Sequence, residues 1–285
     1  KPLLISSVLE YAAKYHGGTE IVSRMVEGPI HRYNYADAQV RSKRLAKSLT
    51  RLGIAPGDRV ATLAWNGFRH LELYYGVSGM GAICHMVNPR LFSGQISYIL
   101  ENAEDKIVFA DLTFVPLLEG IAAEATSVKA FVIMTDETNM PDTSLPNVYC
   151  YEKLLAAEDG NYDWPQFDEN TASSMCYSSG TTGNPKGVLY SHRSTVLHAW
   201  AAMTPDMLNI SATDAIMPAV PMFHVNAWGI PYAAAMAGAK MVMPGAEMDG
   251  ESIHRMIEDE GVTISAGVPT VWLGLLDYLD RSGNT

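Results

Sequence analysis

Cysteine is scarce in this chain: Cys84, Cys150 and Cys176 are the only three among 285 residues. No two have metal-ligand spacing, and an odd, scattered set does not make a disulfide framework. Buried, reduced thiols in a cytoplasmic protein are the expectation. Positive charge is also short. Twenty Lys and Arg stand against 31 Asp and Glu, a net charge of −11. That excludes a general nucleic-acid binder. It also requires a local positive site for any anionic substrate, because the overall field repels it. Long apolar runs are missing. The longest, residues 227–239, contains Gly229 and Pro231 and falls short of the ~20 residues that span a bilayer. No membrane span or signal peptide is expected. The histidines at 16, 31, 70, 85, 198 and 254 show no zinc spacing and read as structural.

What the chain does have is apolar mass. Hydrophobic residues make up 48% of it, enough for a substantial core. Short apolar runs at 59–66, 81–88, 106–111, 130–136, 173–177, 214–220, 240–243 and 263–268 read as strands. Residues 34–52, 67–80, 93–102, 113–125, 194–209 and 250–260 read as helices. In the first of these, Ala38, Leu45, Leu49 and Leu52 share one face and Gly53 is a stop signal. Alternating strands and helices predict an α/β fold with helix-covered, largely parallel sheets. The acidic group Glu101, Glu104 and Asp105 reads as a solvated helix end.

One stretch carries chemistry. YSSGTTGNPKGVLYSHR, residues 177–193, follows a predicted strand with hydroxyls, three glycines and one lysine. Glycine lets a loop curl its N–H groups around an anion, hydroxyls donate to phosphate oxygens, and Lys186 adds a point charge. Walker A spacing is absent, since Pro185 and Gly187 flank Lys186. A dinucleotide fingerprint and a nucleophile elbow are absent too.

This stretch resembles the signature loop of the adenylate-forming superfamily, which includes acyl-CoA synthetases, luciferases and peptide-synthetase adenylation domains. GAICHMVNPRL (81–91), ISYILENAEDKIVFAD (96–111), PMFHVNAW (221–228) and TISAGVPTVWLGLLDYL (263–279) agree in order, and are most similar to the fatty-acyl-CoA ligase branch. The resemblance implies an ATP-dependent ligase. A carboxylate attacks the α-phosphate with Mg²⁺ assisting, and CoA then takes the acyl group. It implies that Ser178, Ser179, Gly180, Thr181, Thr182, Gly183 and Lys186 bind phosphate, with Ser178 also assisting the metal. It implies that His224 is catalytic and binds the acyl group, lying near its carboxylate. His224 and Trp228, four apart, would share a helical face, and Val225, Ala227, Trp228, Gly267, Val268 and Pro269 would line the acyl site. His192 and Arg193 complete the motif, His192 read as structural.

The resemblance also implies an N-terminal fragment. The family's later motifs and its C-terminal domain, which carry the ribose contact and a catalytic lysine, do not follow Thr285. Such a fragment is expected to turn over negligibly alone. The expected organisation is one sheet subdomain over 59–191, ending in the phosphate loop, and a second, incomplete one from 1–58 and 192–285. Its exposed strand edges would favour a homodimer. Medium- or long-chain fatty acids are the leading substrates. A short thioether acid such as 3-methylthiopropanoate, transfer to a carrier protein, and a non-catalytic nucleotide- or acyl-binding module are the alternatives.

Overall fold

The computed structural model describes residues 1–178 and 184–283. Helix α1 (Ile5–Tyr15) precedes a hairpin of β1 (Glu20–Arg24) and β2 (Ile30–Asn34), then α2 (Tyr35–Arg51). Alternation follows: β3 (Arg59–Leu63), α3 (Phe68–Gly79), β4 (Ile83–Met86), α4 (Ser93–Ala103), β5 (Ile107–Ala110), α5 (Val115–Ile121), β6 (Ala130–Ile133) and β7 (Val148–Cys150). Next come α6 (Tyr151–Ala156), β8 (Ala172–Tyr177), β9 (Gly187–Ser191), α7 (His192–Ala202) and β10 (Ala215–Pro218). The described chain closes with α8 (Ile230–Ala237), β11 (Lys240–Met243), α9 (Gly250–Glu260), β12 (Ile264–Ala266) and α10 (Pro269–Ser282).

The strands form two sheets. One runs β7-β6-β5-β3-β4-β8-β9, the other β12-β10-β11-β1-β2. Pairing is parallel except where β9 meets β8 and β2 meets β1. The α/β, largely parallel expectation is therefore met. Such sheets need cover on both faces, and β3 to β6 are correspondingly buried at nearly every position and mostly apolar, with Arg59, Thr62 and His85 as their polar residues.

Local signals explain the helix limits. Asn34 caps α2: its Oδ1 accepts from the Asp37 N–H at 2.9 Å, and Asp37 Oδ2 accepts from the Asn34 N–H at 3.3 Å. This is a reciprocal capping box. Ala38, Leu45 and Leu49 are buried, and Gly53 ends the helix at φ +85°. The helix predicted over 194–209 instead spans His192–Ala202. Ser191 caps it through the Ser194 N–H at 3.1 Å, and Pro205 disfavours helical backbone at Thr204. Pro116 sits in the first turn of α5, so the predicted 113–125 helix divides into a 3-10 turn and a short α-helix.

Asn66 joins the two sheets at the carboxyl ends of their strands. It lies just beyond β3. Its Nδ2 donates to the Pro218 and Val220 carbonyls at 2.7 and 2.8 Å, and its Oδ1 accepts from the Met222 N–H at 2.7 Å. The Tyr74 hydroxyl donates to the Met222 carbonyl beside it. Open parallel sheets bind ligands at these strand ends, so Asn66 fixes the segment after β10 where a site is expected.

Two polar groups are fully buried, Asp105 against its expectation and His192 in keeping with its structural reading. Asp105 is buried rather than solvated, and its Oδ2 lies 2.7 Å from His85 Nδ1. His85 lies on β4 and Asp105 in the turn between α4 and β5. His192 is fully buried, and its Nδ1 accepts from the Ile5 N–H at 3.1 Å. Burial pushes its pKa down to about 4. A depressed histidine contributes stability above its unfolded value near 6.5, and that contribution is lost as pH falls towards 4. We expect chemical-denaturation midpoints to drop across pH 6.5 to 4, with His192→Ala flattening part of the drop. An equally steep decline in that variant would contradict the assignment.

No residue of α10 is buried, and Leu273 and Leu276 are 64% and 56% exposed. Among the described residues, no helix is long and apolar enough to cross a membrane.

Candidate active site

Strand β8 delivers the motif to the sheet's end. It pairs with β4 on one side and antiparallel with β9 on the other. The segment between β8 and β9 is closed at its base. The Ser178 N–H donates to the Lys186 carbonyl at 3.0 Å, and the Lys186 N–H donates to Ser178 Oγ at 3.1 Å. Pro185 is buried, while Ser178 and Lys186 are exposed. The Ser178 hydroxyl is therefore bonded to the Lys186 backbone at the mouth of the hairpin, where both residues are exposed. Ser179, Gly180, Thr181, Thr182 and Gly183 lie outside the described residues.

Beside β8 is an unusual turn. Val225, Asn226, Ala227 and Trp228 have φ of 46°, 54°, 48° and 55°. Four consecutive non-glycine residues thus occupy left-handed backbone, which costs roughly 1–2 kcal/mol each. Such backbone persists where its surroundings over-determine it, and it clusters at functional sites. Here Ala227 is fully buried. The Asn226 Nδ2 donates to Ser174 Oγ at 3.0 Å, and the Cys176 thiol lies 3.5 Å from Asn226 Oδ1. Burial pushes the Cys176 thiol up to about 11, against hydrogen bonding from the Val225 and Asn226 amides. Cys176 is therefore a structural thiol at neutral pH.

The turn forms one wall of a cavity of about 410 Å³, shared with Tyr190, Ser194, Thr195, His198, Gly229 and Tyr232. Val225 and Trp228 present their side chains to it at 39% and 42% exposure. Gly229 has φ +75°, and an added Cβ would lie 2.6 Å from His198 Nδ1. Only glycine lets the imidazole pack this closely against the chain. A second cavity, of about 220 Å³, opens among Trp65, Asn66, Arg90, Phe223, Val268 and Thr270. The Arg90 guanidinium lies 5.6 Å from the centre of the Phe223 ring.

The residues expected to form an acyl site are divided between these spaces. Val225 and Trp228 line the larger cavity, and Val268 lines the smaller. Gly267 instead packs on Trp272, whose Nε1 donates to its carbonyl at 3.1 Å. Pro269 begins α10. Neither lines either cavity. His224 is exposed and extended, with φ −131° and ψ 117°. It precedes the left-handed turn, so His224 and Trp228 do not share an α-helical face, and His224 lines neither cavity.

Comparison with known proteins places this arrangement. The model of the family described as AMP-binding enzyme matches residues 9–284. The chain belongs to the AMP-binding enzyme family. It is 53% identical to a medium-chain-fatty-acid–CoA ligase of Ectopseudomonas oleovorans, over 96% of this chain and 50% of the relative. It is 51% identical to a 3-methylmercaptopropionyl-CoA ligase of Ruegeria lacuscaerulensis, over 99% of this chain and 52% of that protein. The chain thus spans about half the length of these curated relatives. A long-chain-fatty-acid–CoA ligase structure from Archaeoglobus fulgidus superposes with a TM-score of 0.85, covering 98% of this chain and 55% of its own. At 20% identity that likeness concerns the fold.

In this member of the AMP-binding enzyme family, sequence reasoning passes over three residues that shape the site. His198 reads as structural, yet it lines the larger cavity. Asn66 and Asn226 are single asparagines with no periodicity to mark them. Asparagine's tolerance of left-handed backbone is the one available signal at Asn226.

Proposed function

We propose that this chain forms the phosphate-binding loop and part of the acyl pocket of an ATP-dependent acyl-CoA ligase for aliphatic carboxylates of medium or long chain. One observation carries the reading. The hairpin mouth with Ser178 and Lys186 ends the strand that the cavity-lining turn is bonded to. A loop suited to phosphate and a pocket suited to an apolar chain therefore share one support.

The chemistry follows from charge. An acid anion must approach a polyanionic nucleotide on a protein that is itself negative. Lys186 and the loop amides would offset that repulsion, and positioning would do the rest. The larger cavity falls within the volume range of small-molecule sites. Each methylene buried in it would contribute about 0.8 kcal/mol. Ser178 Oγ offers one hard oxygen. Among the described residues no three His, Cys, Asp or Glu side chains converge on a cation position. Mg²⁺ bound with the nucleotide would neutralise developing charge, with Ser178 Oγ the contact this chain would offer it. CoA would accept the acyl group. The free, buried thiols of Cys84, Cys150 and Cys176 support a cytoplasmic setting.

A second reading, a ligase for a short thioether acid, is favoured by the Ruegeria relative. The test uses the product of the whole reading frame with ATP, Mg²⁺, CoA and acids from propanoate and 3-methylthiopropanoate through octanoate to hexadecanoate. AMP release is expected to show kcat/KM rising with chain length to at least octanoate. A maximum at 3-methylthiopropanoate would replace this reading with the second.

A further inference from the structure

Asn226 sits where the two halves of the proposed site meet. Its side chain is buried, and both of its polar ends are used on one strand. Nδ2 donates to Ser174 Oγ at 3.0 Å, and Oδ1 faces the Cys176 thiol at 3.5 Å. Ser174 and Cys176 point to the same face of β8, because side chains two apart in a strand do so. They lie four and two residues before Ser178. Asn226 itself occupies left-handed backbone, with Val225 before it and Trp228 two residues after it on the cavity wall.

We propose that Asn226 is a positioning residue for acyl activation, setting the spacing between the cavity-lining turn and the strand that ends in the phosphate loop. The proposal rests on the ligase reading above and deepens it. An isolated left-handed turn of Val, Asn, Ala and Trp would relax toward ordinary backbone. The two side-chain bonds oppose that relaxation and fix the turn against β8. Because β8 also sets the base of the hairpin at Ser178 and Lys186, any drift of the turn would change the approach of a carboxylate held in the cavity. Misplacement of about 1 Å can cost on the order of 10²-fold in rate.

Two substitutions separate backbone from side chain. Asn226→Gly keeps a residue that accepts positive φ and deletes both bonds, while Asn226→Ala also disfavours the backbone. In the product of the whole reading frame, Asn226→Gly is expected to lower kcat for acid-dependent ATP–pyrophosphate exchange at least ~10-fold. KM for the acid should rise and KM for ATP should stay within about two-fold, since the hairpin is intact. Adding Ser174→Ala to Asn226→Gly should cost little more, as expected for coupled partners. Parental kcat and acid KM in Asn226→Gly would overturn the proposal. So would equal effects on both substrates.

Hydrogen exchange of the Val225–Gly229 amides reads the restraint without turnover. At least ~10-fold faster exchange is expected in Asn226→Gly, and parental protection would overturn the proposal by itself. A parent protein showing no acid-dependent exchange would sink the ligase reading instead, and the amide measurement would still decide the positioning role.

Discussion

Lys186→Ala is expected to lower acid-dependent ATP–pyrophosphate exchange by about 10²-fold. Its folding stability should hardly change, because the side chain is exposed at a hairpin mouth. The reasoning is electrostatic. The chain carries a net charge of −11, so the substrate anions meet no favourable global field. A point charge at the loop then matters most when negative charge crowds together in the transition state. Lys186→Arg keeps the charge but changes its shape and reach, and should retain more activity than the alanine variant. Pyrophosphate exchange by Lys186→Ala at the parental rate would remove the loop's assigned role.

The second large effect concerns stability. Glu72 on α3 is fully buried, and its carboxylate accepts from Arg41 Nε at 2.7 Å and from the Tyr151 hydroxyl at 2.6 Å. Burial raises its pKa, opposed by the Arg41 charge and by these hydrogen bonds. Arg41 also reaches Glu152, which bonds Arg69, which in turn bonds Glu27 in the turn between β1 and β2. The network therefore ties α2, α3 and α6 to the hairpin of the other sheet. Breaking a buried pair by removing one partner typically costs about 3–5 kcal/mol. Glu72→Ala should lose about that much, a fall in Tm on the order of 10 °C. A loss below about 1 kcal/mol would show that the network behaves like a surface ion pair.

Much of the fold is legible in the sequence because parallel strands buried on both faces must be apolar throughout. The runs that form β3, β5, β6 and β11 stand out for that reason, and the helical face of α2 shows a 3.6-residue period. The β1–β2 hairpin is not legible. Arg24 is nearly buried in it and Tyr33 lies among polar neighbours, so neither alternation nor an apolar run appears. Helix α8 reads only as an apolar run, since burial on nearly all sides erases amphipathic period. Helix α10 is hidden because its segment stands out by its motif and not by its shape.

The site is legible in part. The loop's composition and its family resemblance point to phosphate from the amino-acid order alone. The left-handed turn does not announce itself, because no glycine marks Val225 to Trp228. The spacing of His224 and Trp228 suggests a helix, but packing of Ala227 and bonding of Asn226 select another backbone. Gly267 and Pro269 sit in a family-like stretch, yet the Trp272 ring and the start of α10 claim them. Asn66 and Asn226 act through partners distant in the chain, a property that single-residue patterns cannot carry.

The most direct measurement is isotope exchange between labelled pyrophosphate and ATP, catalysed by the product of the whole reading frame, with and without octanoate. Formation of an acyl-adenylate predicts exchange that depends on the acid and on Mg²⁺ and needs no CoA. Exchange that ignores the acid, or none with any acid from propanoate to hexadecanoate, would contradict it.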